Sequence, residues 1–238
     1  AEMQKMVVEE APIAYLHTRG RVTTYNAYTQ TVAYVSVRNV GQVDFSLYKM
    51  PVSDFLRAYD SWDYWDRYQG RSENLVRSWS VDTKVPLDER VIYGTQLSEA
   101  ENGRLEPGIY YLETSVPSGA VYPEVGTYHP PEPGKHILVV SRYNLTVKKG
   151  TEGVLVWATN LNSGDVVPGL PIAVRLKTGS PTDGATDKDG VFFAADFSTT
   201  DRWTPVFAFA GNAETPDESF AVATNEWGGG ISAWDFDL

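Results

Sequence analysis

The 238-residue chain contains no cysteine. That absence excludes disulfides, thiolate metal ligands, cysteine nucleophiles and any cysteine-derived thioester within these residues. Histidine is scarce: His17, His129 and His136 show none of the close spacings that bring two imidazoles to one metal ion. No run of about 18 apolar residues is present to cross a bilayer as a helix. The opening AEMQKMVVEEAP lacks the apolar segment of a secretion signal. Positive charge is in the minority, with 20 Lys and Arg against 31 Asp and Glu, a formal net charge of −11. The parts before and after Arg142 are both net negative, so neither nucleic acid nor a membrane surface is an expected partner. Also missing are G-x-S-x-G, H-E-x-x-H and a phosphate-cradling glycine loop. Gly228-Gly229-Gly230 is no such loop, since it carries no following lysine and does not lead a strand into a helix.

What is present favours strands and turns. The chain holds 14 Tyr and 7 Trp, which pack well on pleated surfaces, with 20 Gly and 14 Pro as frequent punctuation. Apolar and polar residues alternate in VLVWAT and IAVRL, so each strand should turn one face to a core and one to water. Between and after them stand turn signals at Asn162-Ser163-Gly164, Pro168-Gly169 and Asp187-Lys188-Asp189-Gly190.

Along the chain, residues 1–11 read as a flexible lead-in, and Pro12 marks entry into structure. Strands are expected at Ile13–Thr18, Val22–Tyr25, Val32–Val37 and Val43–Tyr48, with Asn39-Val40-Gly41 as a hairpin turn between the last two. Ser53 is a candidate helix cap. Phe55, Leu56, Tyr59, Trp62 and Trp65 recur at helical spacing, which predicts one inserted helix near 53–68. Strands resume at Leu75–Asp82, Glu89–Gln96 and Ile109–Val116. A long exposed loop is expected over Pro117–Gly134, and then His136–Ser141 as a strongly apolar strand. A second series follows at Tyr143–Lys148, Val154–Thr159, Ile172–Leu176, Val191–Asp196, Pro205–Ala210, Ser219–Thr224 and Ile231–Phe236. Short strands at this spacing are those of an immunoglobulin-like sandwich. The expected fold is all-β: two tandem antiparallel β-sandwiches, at 12–142 and 143–238, the first with one inserted helix.

Each candidate for chemistry meets a plainer structural reading. Asp187-Lys188-Asp189-Gly190 invites a calcium loop, but Ala185 stands where an EF-hand needs its first ligand and Asp196 where it needs Glu, so a turn is favoured. The helix aromatics Tyr59, Trp62, Tyr64, Trp65 and Tyr68 could stack on sugars. As an apolar stripe they are better explained as core, with Tyr64 and Tyr68 left over to meet a neighbouring domain. Acid pairs such as Asp60/Asp63/Asp66 and Asp217/Glu218 are what chance supplies in so acidic a chain. Asn144-Leu145-Thr146 fits a glycosylation sequon by coincidence at a strand start. No catalytic, cofactor-binding or metal-binding residue is therefore assigned, no cofactor is expected, and the chain is read as not an enzyme.

Several segments together carry a family resemblance: YVSVRNVGQVDFSLYKM, the aromatic helix after it, LEPGIYYLET, then VSRYNLTVKKGTEGVLVWATNLNSGDVVPGLPIAVRL, TDKDGVFFAADF and ISAWDFDL. Their order and spacing over Ile13–Leu238 resemble the N-terminal macroglobulin-like (MG) domains of bacterial alpha-2-macroglobulin proteins. The resemblance implies a large, multidomain, extracytoplasmic protease trap, in which cleavage of a bait segment triggers enclosure and many members add a Cys–Gln thioester. This chain has no cysteine for the thioester and no long bait-like segment. It would then be scaffold, with neighbouring domains of the same longer chain as its partners and proteases as targets of the whole protein. SGDVVPGLPIAVRL with TDKDGVF also resembles transthyretin-like and carboxypeptidase-regulatory modules, over less than half the chain. The alternative function is a carbohydrate- or cell-wall-binding surface module, and a hydrolase ranks third. The near-absence of linker at Arg142-Tyr143 places the expected contact between sandwiches there.

Overall fold

The computed structural model describes residues 11–18, 20–121, 131–195, 197 and 204–227. The first series of strands comprises β1 (Ile13–Leu16), β2 (Val22–Asn26), β3 (Val32–Arg38), β4 (Gln42–Lys49), β5 (Leu75–Asp82), β6 (Val91–Gln96), β7 (Gly108–Ser115) and β8 (Gly134–Ser141). The second comprises β9 (Tyr143–Lys149), β10 (Gly153–Asn160), β11 (Pro171–Arg175), β12 (Thr182–Ala185), β13 (Val191–Ala195), β14 (Phe207–Ala210) and β15 (Ala221–Thr224). They form four sheets, in the orders β1-β3-β6, β2-β8-β7-β4-β5, β13-β10-β9 and β12-β11-β14-β15. The pairings are antiparallel except β2 with β8, which run parallel, so the expectation of wholly antiparallel sheets needs that correction.

The first sandwich closes over Val35, Val37, Phe45, Leu47, Leu112, Leu138 and Val140, all nearly inaccessible to water. Period-two alternation delivers this: Val43, Phe45 and Leu47 share one face of β4, while Asp44, Ser46 and Tyr48 share the other. Phe45 stacks on Trp79 of β5 at 5.2 Å. The second sandwich closes over Val147, Val154, Val156, Ile172, Val174, Ala208 and Ala210.

Three local expectations change. Asn39-Val40-Gly41 is not a hairpin turn, because β3 and β4 do not pair; the chain crosses there from one sheet of the sandwich to the other. Asn39 takes φ +54. Its buried amide donates to Asp88 Oδ1 at 2.8 Å and accepts from the Asp88 N–H at 2.8 Å, so a long-range bond replaces the hairpin ladder. The inserted helix is two helices, α1 (Val52–Asp60) and α2 (Trp62–Arg67), broken at Ser61. Pro51, not Ser53, precedes the first, whereas Ser61 turns extended and accepts from the Tyr64 N–H at 3.2 Å, capping the second. The spacer after Leu176 contains an unforeseen strand, β12, whose exposed Asp183 and Gly184 hide any alternation. The lead-in before Ala11, half of the Pro117–Gly134 loop including His129, and Ile231–Phe236 lie outside the described residues.

The turn at Asp187–Gly190 forms as expected. Asp187 Oδ1 accepts from the N–H groups of Asp189 and Val191, both at 2.9 Å, which holds its carboxyl below the usual range. Gly190 takes φ +74, and a Cβ there would stand 2.8 Å from the Ala158 carbonyl oxygen. Gly190→Ala should therefore cost about 1–3 kcal/mol, read as a lowered urea midpoint at unchanged slope.

Candidate functional site

Burial on both faces marks out the contact between the two sandwiches. In most strands buried residues alternate with exposed ones, but every residue of β14 and β15 is buried, as are those from His136 to Ser141 in β8. Such strands must be covered twice. In β14 the small Ala208 and Ala210 face the core of the second sandwich, and the large Phe207 and Phe209 face away from it. On the other side, Leu138 and Val140 of β8 face the first core while Ile137 and Val139 face outward with Ile109 and Tyr111 of β7. These two outward faces and the helices meet in a third apolar core, with Phe55, Leu56, Trp65, Tyr68, Phe220 and Val222.

Aromatic rings order this core. Phe55 of α1 is fully buried and meets Phe207 edge-on at 6.1 Å and Trp227 at 6.4 Å. Tyr59, one turn on, meets Phe207 at 5.3 Å, and its hydroxyl donates to Glu226 Oε2 at 2.7 Å. Burial, then the adjacent Glu226, pushes the Tyr59 phenol well above its usual range. On the helix side Tyr111 is enclosed by Tyr68 at 4.9 Å and Trp65 at 6.0 Å. Asp54, 2% exposed, accepts from the hydroxyls of Tyr64 at 3.1 Å and Tyr68 at 3.4 Å and pairs with Arg71 at 2.8 Å. That gives a buried charge the partners it requires. Lys135 of β8 donates to the carbonyls of Asp66 and Tyr68, both at 2.9 Å, tying off the last turn of α2.

A polar collar lies beside this core where β8 runs into β9. Ser141 Oγ accepts from the Tyr143 N–H at 2.9 Å and donates to the Phe220 carbonyl at 2.9 Å. Arg142 pairs with Glu218 at 2.9 Å and lies over the Tyr28 ring at 5.5 Å. The Arg142 carbonyl accepts from the Leu161 N–H at 2.9 Å, and Asn160 Nδ2 donates to the Tyr28 hydroxyl at 3.0 Å. A salt bridge between Lys177 and Asp60 joins the second sandwich to the end of α1.

Sequence reasoning foresaw contact at Arg142-Tyr143 and missed the larger apolar core beside it. Phe207, Phe209, Phe220 and Val222 were its unread residues, and the signal for them was the loss of polar alternation in FAFA and FAVAT. The helix aromatics divide differently from expectation. Tyr68 is buried in the shared core, Tyr64 serves Asp54, and Tyr59 with Phe55 meets the second sandwich. Trp62 is 66% exposed and carries the Arg21 guanidinium 3.7 Å above its ring, while Arg21 also donates to the Ala58 carbonyl at 2.8 Å. Trp62→Ala should lower stability by only about 0.5–1 kcal/mol, as a chemical denaturation curve would show.

The remaining candidates are widely separated. His17 is exposed beside Tyr15 at 5.1 Å, and His136 is sealed inside the first sandwich with Tyr25 edge-on at 6.3 Å. Asp63 pairs with Arg67 along α2, and Asp217 caps a turn by accepting from the Ser219 N–H at 2.8 Å. Among the described residues no group of three or more His, Asp or Glu stands close enough together to hold a metal ion. None of the described helices is long and apolar enough to cross a membrane.

Tandem all-β sandwiches with a helix pair packed at the core between them define the class: an immunoglobulin-like fold. Among solved structures the chain is similar to native alpha-2-macroglobulin from Escherichia coli spanning domains NIE-MG1, at TM-score 0.64 and 13% identity, covering 92% of this chain and 98% of that one. It is similar also to the Escherichia coli structure spanning MG0-NIE-MG1, at TM-score 0.61 and 13% identity, over 90% of this chain and 64% of that one. Salmonella alpha-2-macroglobulin reacted with methylamine matches at TM-score 0.58 and 15% identity, over 90% of this chain but only 12% of that one. Likeness at these identities establishes the fold. No protein-family model matches the sequence, and no curated protein matches it.

Proposed function

We propose that this chain is a scaffold segment of a larger alpha-macroglobulin-like protease inhibitor, acting outside the cytoplasm and carrying no catalytic step itself. The observation that supports this most is the third apolar core, which joins two sandwiches and a helix pair in a chain whose fold is similar over 92% of its length to the NIE-MG1 structure from Escherichia coli. On this reading 12–142 is one domain, the counterpart of the one preceding MG1, and 143–238 is the next. Ser141-Arg142-Tyr143 is their junction. A protease trap works by moving whole domains, so segments outside the moving parts serve by staying rigid. Phe55, Tyr59, Phe207 and Phe209 supply that rigidity, because a dry aromatic contact resists hinge motion better than a polar one. Partners are the neighbouring domains of the same longer chain, and proteases are targets of the whole protein.

The test has two arms. Fluorescent labels on Ser78 and Thr182, each changed to cysteine, should give one narrow distance distribution between the sandwiches. Incubated with trypsin and a protein substrate, the chain should neither slow the protease nor cleave the substrate. A broad distribution defeats the scaffold reading, and inhibition or hydrolysis by the isolated chain defeats the division of labour.

A second reading, a glycan-binding module, keeps one supporting observation. Trp157 of β10 is 41% exposed and Phe193 of β13 is 50% exposed, two residues apart in cross-strand register on the outer face of their sheet. Trp157→Ala should leave the chain folded and unchanged in a pull-down on cell-wall polysaccharide if the scaffold reading holds; lost retention would favour the module.

A further inference from the structure

A strongly acidic chain has little reason to gather cations, yet four converge on one groove. This open groove of about 640 Å³ lies beside the helices, and its lining includes Arg57, Arg67, Arg71 and Lys177, of which Arg67, Arg71 and Lys177 already pair with Asp63, Asp54 and Asp60. We propose that this groove binds acidic peptide segments, by pairing their carboxylates with Arg57, Arg71 and Lys177.

The cations are held in place before any ligand arrives. Arg57 lies over the Tyr64 ring at 4.3 Å, and among the described residues no carboxylate pairs with it. Arg71 is anchored along one edge by the buried Asp54, while half of its side chain stays open to water. Tyr64 is fixed by the same Asp54, so one buried carboxylate positions both an arginine and the ring that carries another. Lys177 reaches the groove from the second sandwich and is steadied by Asp60. The rest of the lining includes Ser61 and Gln69, both able to donate hydrogen bonds, and the two tyrosines, whose hydroxyls already donate to Asp54.

This chemistry selects carboxylates. Guanidinium forks match carboxylate oxygens two at a time, and an arginine already stacked or anchored loses less freedom on pairing. The volume suits a stretch of a few residues. Arg57 and Arg71 belong to the helical insert and Lys177 to the second sandwich, so a bound segment would bridge the two and stiffen their contact. This inference stands whether or not the chain serves a protease trap.

The test uses the whole chain and a fluorescein-labelled hexaglutamate peptide, followed by anisotropy in 50 mM and 300 mM NaCl. Binding is expected at the lower salt, weakened at least several-fold at the higher. Arg57→Glu and Lys177→Glu, both at solvent-facing positions on separate elements, should each weaken it about tenfold or more while keeping the parent circular dichroism. No binding at low salt overturns the proposal, as does full-strength binding to both variants. Competition by inorganic phosphate or a single-stranded oligonucleotide at equal or lower concentration than unlabelled hexaglutamate overturns it too, by making the groove a general anion or nucleic-acid site.

Discussion

Phe55→Ala will lower the free energy of unfolding by about 3–5 kcal/mol, the range for deleting a ring from a closed core. Phe55 is fully buried, and its ring touches Tyr59 on its own helix and Phe207 and Trp227 on the second sandwich. Removing it opens a cavity at the centre of the third core, where three packed surfaces meet and none can collapse alone. The loss should also be visible as uncoupling. The parent chain should unfold in urea in one transition, and the variant in two, because each sandwich retains its own core of valine, leucine and alanine. The probes are tryptophan fluorescence and far-ultraviolet circular dichroism, which should coincide for the parent and separate for the variant. A loss below 1 kcal/mol with coincident curves would mean that the sandwiches are held by the Ser141–Tyr143 collar instead.

The second large effect is acid sensitivity traced to His136. Its side chain is fully buried in the first sandwich, and among the described residues neither ring nitrogen has a hydrogen bond of good geometry. Burial drives its pKa down from 6.5 to about 4, offset only in part by the nearby Gly20 backbone. The imidazole is therefore neutral in the folded chain at pH values where the unfolded chain takes up a proton. Its contribution to stability is fully present above pH 6.5, is lost as pH falls from 6.5 to 4, and levels off below. The difference amounts to about 3 kcal/mol. His136→Leu keeps the volume apolar and removes the titration, so its stability should fall less steeply over that interval, by about one proton. Urea titrations of both proteins at pH 7, 5.5 and 4 measure this. Parallel curves for parent and variant would show that burial leaves the pKa of His136 where it stands in the unfolded chain.

Much of this architecture was legible in the order of residues. Alternation in VLVWAT, in IAVRL and along β4 located strands and their inner faces, since a pleated strand with one wet face needs period two. Asp187 and Gly190 specified their turn, because a carboxylate that bonds the backbone two and four residues on, beside a glycine free to take positive φ, closes a loop locally. The resemblance to macroglobulin-like domains, drawn from the order of segments, agrees with the fold observed. At these places the determining contact was local.

Long-range contacts behaved otherwise. Asn39 looked like a hairpin residue, and its role turned on Asp88, forty-nine positions away. Ser61 was a local signal that the aromatic stripe masked: it breaks the helix and its hydroxyl accepts from the Tyr64 N–H to cap the second one. The alternation of Phe with Ala in β14 shows that the strand has two unlike faces. It does not say that the phenylalanines meet a second sandwich and the alanines their own. Nor does any spacing bring Lys177 beside Arg57 and Arg71. Composition and periodicity by themselves determined an all-β, cysteine-free chain of short strands with one helical interruption. Only the tertiary structure decided which faces are covered twice and which cations share a groove, because those facts depend on surfaces that the chain brings together from more than a hundred residues apart.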